Sequence, residues 1–193
     1  LLAALALQLY FVGRIALMTV VDPQSTAFER SEAWRVVNDK GRLPWRQQWV
    51  GYASISDNLK RAVIASEDGD FINHDGVDWE ALEKAWQKNA KAQERVEKQI
   101  AAAAARAKPP AKLPKPPKVI GGSTITQQLA KNLFLSGERT LMRKGQEIVL
   151  TFALETLLSK ERILEIYLNN VEWGEGVFGA EAAAQHYYRK PAA

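Results

Sequence analysis

Apolar residues recur at helical spacing along most of this chain, and no stretch alternates apolar and polar residues as a half-buried strand does. Leu59 and Val63 lie four residues apart. The same spacing joins Ile125, Leu129 and Leu133. Cysteine is absent, which excludes disulfides and thiolate metal sites. A chain of 193 residues with this pattern predicts a mainly α-helical fold built around one hydrophobic core.

The first 21 residues are almost entirely apolar, with Gln8 and Arg14 as their strongly polar side chains. As a helix this stretch would be about 31 Å long, which is the thickness of the hydrocarbon core of a bilayer. The pattern predicts a transmembrane anchor over residues 1–21. A cleaved signal peptide is the alternative interpretation of the same run.

Residues 22–55 mix aromatic, basic and turn-forming residues, and we interpret them as a connector. Trp45 and Trp49 lie close together within it. Such residues favour a membrane interface, and they suit a small satellite core equally well. Both interpretations stay open at this point.

A basic segment rich in alanine and proline occupies residues 87–118. Five of the eight prolines of the chain fall between Pro109 and Pro117, among basic residues and without any acid. Such a composition cannot bury a core, so it predicts a frayed helix followed by an extended, solvated linker. We therefore treat the segment as an insertion into the helical domain that begins at residue 56.

Two ligand classes find no support in the sequence. The net charge of +4 is modest, and basic residues do not interleave with aromatic ones as in single-strand binding proteins, so no nucleic-acid partner is predicted. Residues 174–179, GEGVFG, match the dinucleotide pattern G-x-G-x-x-G. They follow a helix, and too little chain remains for the acidic residue expected about 20 positions later. We therefore do not interpret this segment as a dinucleotide-binding site.

The segment SEDGDFINHDGVD, residues 66–78, concentrates acids in one place, namely Glu67, Asp68, Asp70 and Asp75. The helical pattern from Ser56 ends at this segment, which puts Glu67 in a last helical turn. A carboxylate held there suits a general base. A solvated acidic loop is the alternative that the residues alone leave open.

The later helices carry cations. Thr124 and Gln127 fit a capping box at the start of one helix, whose N-terminus could bind an anion, although capping alone explains both residues. A third helix, from about residue 140 to 158, bears Arg143, Lys144 and Glu147, for which surface ion pairing is the alternative role. A fourth amphipathic helix follows over residues 159–170.

Five motifs then occur in one order. EDGDFINHDGVD resembles the signature E-D-x-x-F-x-x-H-x-G-x-D of the peptidoglycan glycosyltransferases, and GGSTITQQLAKN is similar to their second motif. RTLMRKGQE, KERILEIYLN and GEGVFGAEAAAQHYY resemble the three that follow. The chain departs from the family in its long segment 87–118. It also ends at RKPAA, so we expect residues 56–193 to form a domain that is incomplete at its C-terminus.

The resemblance implies a lysozyme-like helical glycosyltransferase domain that polymerises lipid II into glycan strands by inverting transfer, with release of undecaprenyl pyrophosphate. It implies catalytic roles for Glu67 and Glu147. It assigns contacts with substrate and pyrophosphate to Ser123, Thr124, Gln127, Gln128, Lys131, Asn132, Arg139, Arg143 and Lys144. Asp68, Phe71 and His74 would shape the first loop, and Asp68 could hold a divalent cation, magnesium or manganese, although no cofactor is required.

The expected partners are lipid II, the growing lipid-linked chain, the bilayer, and proteins of cell-wall synthesis or division. The expected location is the plasma (inner) membrane, as a single-pass protein with its catalytic domain on the periplasmic or extracellular side. A lytic transglycosylase or lysozyme-like hydrolase is the alternative within enzymes, but it cleaves neutral sugars and has no use for a cluster of cations. A membrane-tethered scaffold is the alternative without catalysis.

Overall fold

The structure, a computed structural model, describes residues 2–105, 121–135, 137 and 140–193. Within these residues it is mainly helical, as predicted. The chain forms two compact units, one made of Leu1–Val77 with Thr124–Ala193 and the other of Asp78–Ser123.

The helices are α1 (Leu2–Leu17), α2 (Ala27–Lys40), α3 (Asp57–Glu67), α4 (Trp79–Ala105), α5 (Ile125–Phe134), α6 (Leu141–Leu157), α7 (Lys160–Asn170) and α8 (Ala180–Tyr188), with a 3-10 turn at Tyr52–Ser54. The strands are β1 (Arg46–Gln47), β2 (Glu172–Gly174) and β3 (Val177–Phe178). The four helices that the apolar spacing predicted after residue 55 are present in α3, α4, α6 and α7, and the predicted capped helix is α5.

Helix α5 lies at the centre of the first unit. Its stripe of Ile125, Leu129 and Leu133 is fully buried, as the spacing predicted, and the helix packs against α2, α6 and α7. Burying each such side chain contributes roughly 1.5–3 kcal/mol. Helix α5 therefore contributes a large share of the hydrophobic core of this unit.

Helix α1 has 16 residues, where the sequence predicted an apolar span over residues 1–21. It packs along α6, with Phe11 and Ile15 in the core, and the amides of Gln8 and Gln146 bond each other reciprocally at 2.8 and 2.9 Å. After Leu17 the chain leaves the helix in a turn. Among the described residues, none of the helices combines the length and the apolar character needed to cross a bilayer.

The connector contains structure that the sequence analysis did not predict. Helix α2 begins with a capping box between Thr26 and Glu29, and β1 pairs in parallel with β3. Strand β2 pairs antiparallel with β3, so the segment GEGVFG forms a hairpin. Gly176 has a φ of +74°, and a Cβ there would lie 1.9 Å from the carbonyl oxygen of Pro44, which requires glycine at this position.

The second unit contains the long helix α4. The Asp78 carboxylate accepts a hydrogen bond from the Ala81 N–H at 2.7 Å and so caps the helix. The helix continues to Ala105, well into the segment predicted to fray. Paired charges at four-residue spacing and a run of alanines favour this extension. The predicted proline-rich linker lies in residues 106–120, outside the described part of the chain.

Candidate active site

Glu67 is the last residue of α3, as predicted, and its side chain is exposed. Its carboxylate accepts a hydrogen bond from the Gln128 amide nitrogen on α5 at 3.0 Å. This contact joins the first and second sequence motifs. A carboxylate that is open to solvent and yet held by one donor can take a proton from a bound hydroxyl group.

Asp68 follows Glu67 and is only 6% exposed. Its carboxylate accepts hydrogen bonds from His74 Nε2 at 2.8 Å and from the Ile125 N–H at 2.9 Å. The Gly76 N–H donates to His74 Nδ1 at 3.1 Å, so the neutral ring carries its hydrogen on Nε2. Asp68 thus ties its own loop to the N-terminus of α5 beside the candidate base.

This geometry also tests the divalent cation that the resemblance attaches to Asp68. Each carboxylate oxygen already accepts one N–H donor, and the side chain is buried, so its remaining lone pairs are not open to solvent or to a metal ion. The described residues contain no group of three or more His, Asp or Glu side chains arranged to hold a metal. The residues therefore do not fit a divalent cation at Asp68.

Thr124 and Gln127 form the predicted capping box, with reciprocal hydrogen bonds of 3.1 and 3.2 Å. The Thr124 hydroxyl also donates to the Gly76 carbonyl at 2.6 Å. Gly76 has a φ of +89°, and a Cβ there would lie 2.6 Å from Thr151 Cγ2. Both capping side chains are buried and have a structural role, while their contact with a ligand stays a prediction.

Phe71 is buried in the core, and Lys160 at the start of α7 lies 4.7 Å above its ring. The same ammonium group donates to the His74 carbonyl and pairs with Glu155 at 2.9 Å. Glu155 in turn accepts a hydrogen bond from Thr126 at 2.6 Å. Lys160 therefore fixes the loop that carries the acids. The lysine that opens the fourth motif was the signal for this role, which the sequence analysis missed.

Tyr167 on α7 is the second residue without a predicted role, although it stands in the fourth motif, KERILEIYLN. Its hydroxyl donates to the Gln128 amide oxygen at 3.1 Å, so the amide nitrogen of Gln128 faces Glu67. Burial raises the pKa of Tyr167, and the nearby charges of Glu67 and Asp68 raise it further. The hydroxyl therefore keeps its proton as a donor.

The cations of α6 gather around a buried acid. Glu147 is 3% exposed and pairs with Arg143 at 2.8 Å and with Lys144. The Nε atom of Arg143 is buried without a hydrogen-bond partner among the described residues. An unpaired buried donor of this kind costs roughly 1–3 kcal/mol and calls for an explanation in function.

The remaining predicted residues are less constrained. Lys131 is exposed on α5, one turn after Gln128 and on the same side of the helix, whereas the neighbouring Asn132 is buried. Ser123 is the last residue of the second compact unit. Arg139 lies outside the described residues. The roles of these four residues in binding stay predictions.

The chain resembles known proteins over almost its whole length. The profile of the family described as Transglycosylase matches residues 38–99 and 98–193. Three curated relatives carry the name biosynthetic peptidoglycan transglycosylase. The relative from Burkholderia thailandensis is 55% identical over 190 residues, which are 98% of this chain and 65% of that protein.

The relative from Burkholderia pseudomallei is 53% identical over 190 residues, again 98% of this chain and 65% of the relative. That from Paraburkholderia phytofirmans is 49% identical over 191 residues, 99% of this chain and 70% of the relative. The chain thus spans about two thirds of the length of these relatives. Identity of this level over nearly every residue, with the first, second and fourth motifs joined through Glu67, Gln128 and Tyr167, leads to one conclusion: the chain belongs to the transglycosylase family.

Proposed function

We propose that this chain is a peptidoglycan glycosyltransferase that polymerises lipid II, with Glu67 as its general base. The observation that carries the proposal is the exposed Glu67 carboxylate held by Gln128. Lys131 extends from the same side of α5, and α6, which packs against α5, carries the Glu147 cluster. The lysozyme-like form of the helical domain belongs to this proposal.

The reaction needs one base and several cations. Glu67 takes the proton of the GlcNAc 4-hydroxyl of one molecule, and that oxygen attacks the anomeric carbon of the lipid-linked chain. A new C–O bond forms on the opposite face as the bond to phosphate breaks, and its electron pair leaves with undecaprenyl pyrophosphate. Pyrophosphate is a weak base, so its departure requires positive charge more than a proton donor.

Lys131, Arg143 and Lys144 supply that charge in our proposal. Glu147 holds Arg143 and Lys144 at hydrogen-bond distance of its buried carboxylate, which fixes their ammonium and guanidinium groups without a ligand. Preorganised charges of this type stabilise a developing anion without reorganisation at the moment of reaction. The unpartnered Nε of Arg143 supports a site whose hydrogen bonding is completed only when an anion binds.

A lipid-linked substrate requires the enzyme to work at a membrane surface. Helix α1 exposes large apolar side chains along its length, and these are Leu2, Leu5, Leu7, Leu9, Tyr10, Val12 and Leu17. Contiguous exposed apolar surface marks a protein or membrane contact. We include in the proposal that this face meets the plasma (inner) membrane, with the catalytic domain on the periplasmic or extracellular side.

The test measures polymerisation of labelled lipid II by the purified chain. Glu67→Gln keeps the size of the side chain and can still meet Gln128, but it cannot accept the proton. We expect the rate to fall by about 10² to 10⁴-fold while lipid II binding persists. Glu161→Gln, at an exposed position of α7, is the matched control and should retain the wild-type rate.

Three results would contradict the proposal. A Glu67→Gln variant that polymerises at the wild-type rate would remove the assignment of the base. Polymerisation without release of undecaprenyl pyrophosphate would contradict the reaction. Clearing of purified cell walls by the wild-type chain would favour the hydrolase.

A further inference from the structure

A pocket of about 230 Å³ opens where α1 ends and the chain turns toward α2. Its wall includes Arg14, Met18 and Val21 from one side and Arg30 from the other. Two arginine residues thus line one small cavity. Neither belongs to the residues proposed above for transfer or for pyrophosphate binding.

The positive charge of this pocket is not neutralised from within. Arg14 makes no ion pair or hydrogen bond through its side chain in the described part of the chain, and its nearest partners are the rings of Phe134 and Tyr10, at 5.7 and 6.0 Å. Asp22 is the acid of the pocket wall, and it pairs with Arg162 at 2.8 Å. The cavity therefore attracts an anion.

The pocket is also held in shape before any ligand arrives. Arg162 on α7 donates to the Met18 carbonyl at 2.7 Å and to the Val21 carbonyl at 3.2 Å, which fixes the turn after α1. Its guanidinium lies 5.7 Å from the centre of the Trp49 ring. The guanidinium of Arg30 bonds the Ser25 carbonyl and hydroxyl at 3.2 and 2.9 Å. A preorganised pocket loses less entropy on binding than a mobile one.

The rim of the pocket is apolar and open to solvent. Leu17 and Val21 of the lining are 60% and 47% exposed, and Val20 in the adjoining turn is 80% exposed. A ligand that satisfies both parts needs an anionic group for the arginines and a hydrocarbon chain for the rim. Arginine is well suited to phosphate because its planar donors can bind two oxygens at once.

We propose that this pocket binds the phosphate of an anionic membrane lipid, with an acyl chain along Leu17 and Val21. The inference stands on the pocket itself and does not require the transferase reaction. Binding here would hold the C-terminal end of α1 at the level of the lipid headgroups, where basic side chains are attracted to anionic lipids.

The test uses the full chain and a short lipid, dihexanoyl phosphatidylglycerol, below the concentration at which it aggregates. Isothermal titration calorimetry gives the affinity, and amide chemical shifts give the location. We expect shifts in residues 17–25. Arg14→Gln and Arg30→Gln should each weaken binding by at least about tenfold, because each removes a charge-assisted contact. Arg95→Gln, an exposed position on α4, is the matched control and should bind as the wild type does.

Two further probes separate the sources of the signal. Inorganic phosphate that binds as tightly as the lipid would overturn the role of the acyl chain. Dihexanoylglycerol lacks the phosphate. If it bound as tightly as dihexanoyl phosphatidylglycerol, the proposed role of the arginines would be wrong. Amide shifts confined to residues outside 14–30 in the wild-type chain would overturn the site itself, whether or not the variants fold.

Discussion

We expect Asp68→Asn to destabilise the chain strongly for a substitution of nearly unchanged volume. The Asp68 carboxylate accepts two buried N–H donors, from His74 and from Ile125. Asparagine has one amide oxygen, so it can accept only one of them and must turn its own NH₂ group toward the other. A change of tautomer at His74 cannot restore the lost contact. It would turn Nε2 into an acceptor for the new NH₂ group, but it would put a hydrogen on Nδ1, which already accepts from the Gly76 N–H.

The magnitude follows from these contacts. A buried donor left without a partner costs about 1–3 kcal/mol, and replacing a charged acceptor by a neutral one at the surviving bond costs about 1 kcal/mol more. Water cannot replace the lost acceptor, since Asp68 is 6% exposed. We therefore expect the free energy of unfolding to fall by about 2–4 kcal/mol. Typical domains have about 5–15 kcal/mol in total, so the variant should remain folded.

Urea unfolding followed by far-UV circular dichroism measures the loss. Asp75→Asn is the matched control, because Asp75 is exposed in the same loop and no hydrogen bond to its side chain is found among the described residues. That variant should stay within about 0.5 kcal/mol of the wild type. Equal stability of Asp68→Asn and the wild type, or equal losses in both variants, would refute the reasoning from buried donors.

Three other predictions concern the site and its support. Lys131→Ala should lower the polymerisation rate about 10 to 100-fold at unchanged stability, whereas the control Lys91→Ala should not. Equal rates in the two variants would show that Lys131 is an ordinary surface charge. Tyr167→Phe should lower the rate about 2 to 10-fold, because Gln128 loses the donor that orients its amide, and an unchanged rate would remove that role. Burial raises the pKa of Glu29 in the folded state, so the folded chain binds more protons than the unfolded chain between the two pKa values. The stability of the wild type relative to Glu29→Gln should therefore increase as the pH falls toward the ordinary pKa of glutamate. A difference in the free energy of unfolding between the two proteins that does not change with pH, measured by urea unfolding, would contradict this.

The sequence predicted the helices whose apolar residues repeat at four-residue spacing. The third predicted helix, about residues 140 to 158, corresponds to α6 at Leu141–Leu157. Helix α2 was missed although Thr26 and Glu29 have the spacing of a capping box. The burial of Glu29 also depends on a hydrogen bond from Gln47, 18 positions away, which the sequence does not reveal. The strands have two or three residues each, which is too short for any period to appear.

The site was predictable in part for the same reason. The motifs predicted Glu67, Asp68 and the cations of α6 as site residues, because residue type and order along the chain indicate their chemistry. The contact of Tyr167 with Gln128 joins residues that are 39 positions apart, and only the packing of α5 on α7 brings them together. Lys160 and Tyr167 both stand in the fourth motif, KERILEIYLN, but the motif alone does not say which distant residues they contact.

The hydrogen bond from the Thr124 hydroxyl to the Gly76 carbonyl bears on how this family can vary in length. The chain leaves the first unit after Val77 and returns to it at Thr124, so the two ends of the intervening segment are already fixed beside each other. Closing a loop between fixed ends costs only about 0.6 kcal/mol more for each doubling of its length. Length changes in the proline-rich linker that the sequence predicts within this segment should therefore carry little thermodynamic penalty, while the residues around Glu67 keep their positions.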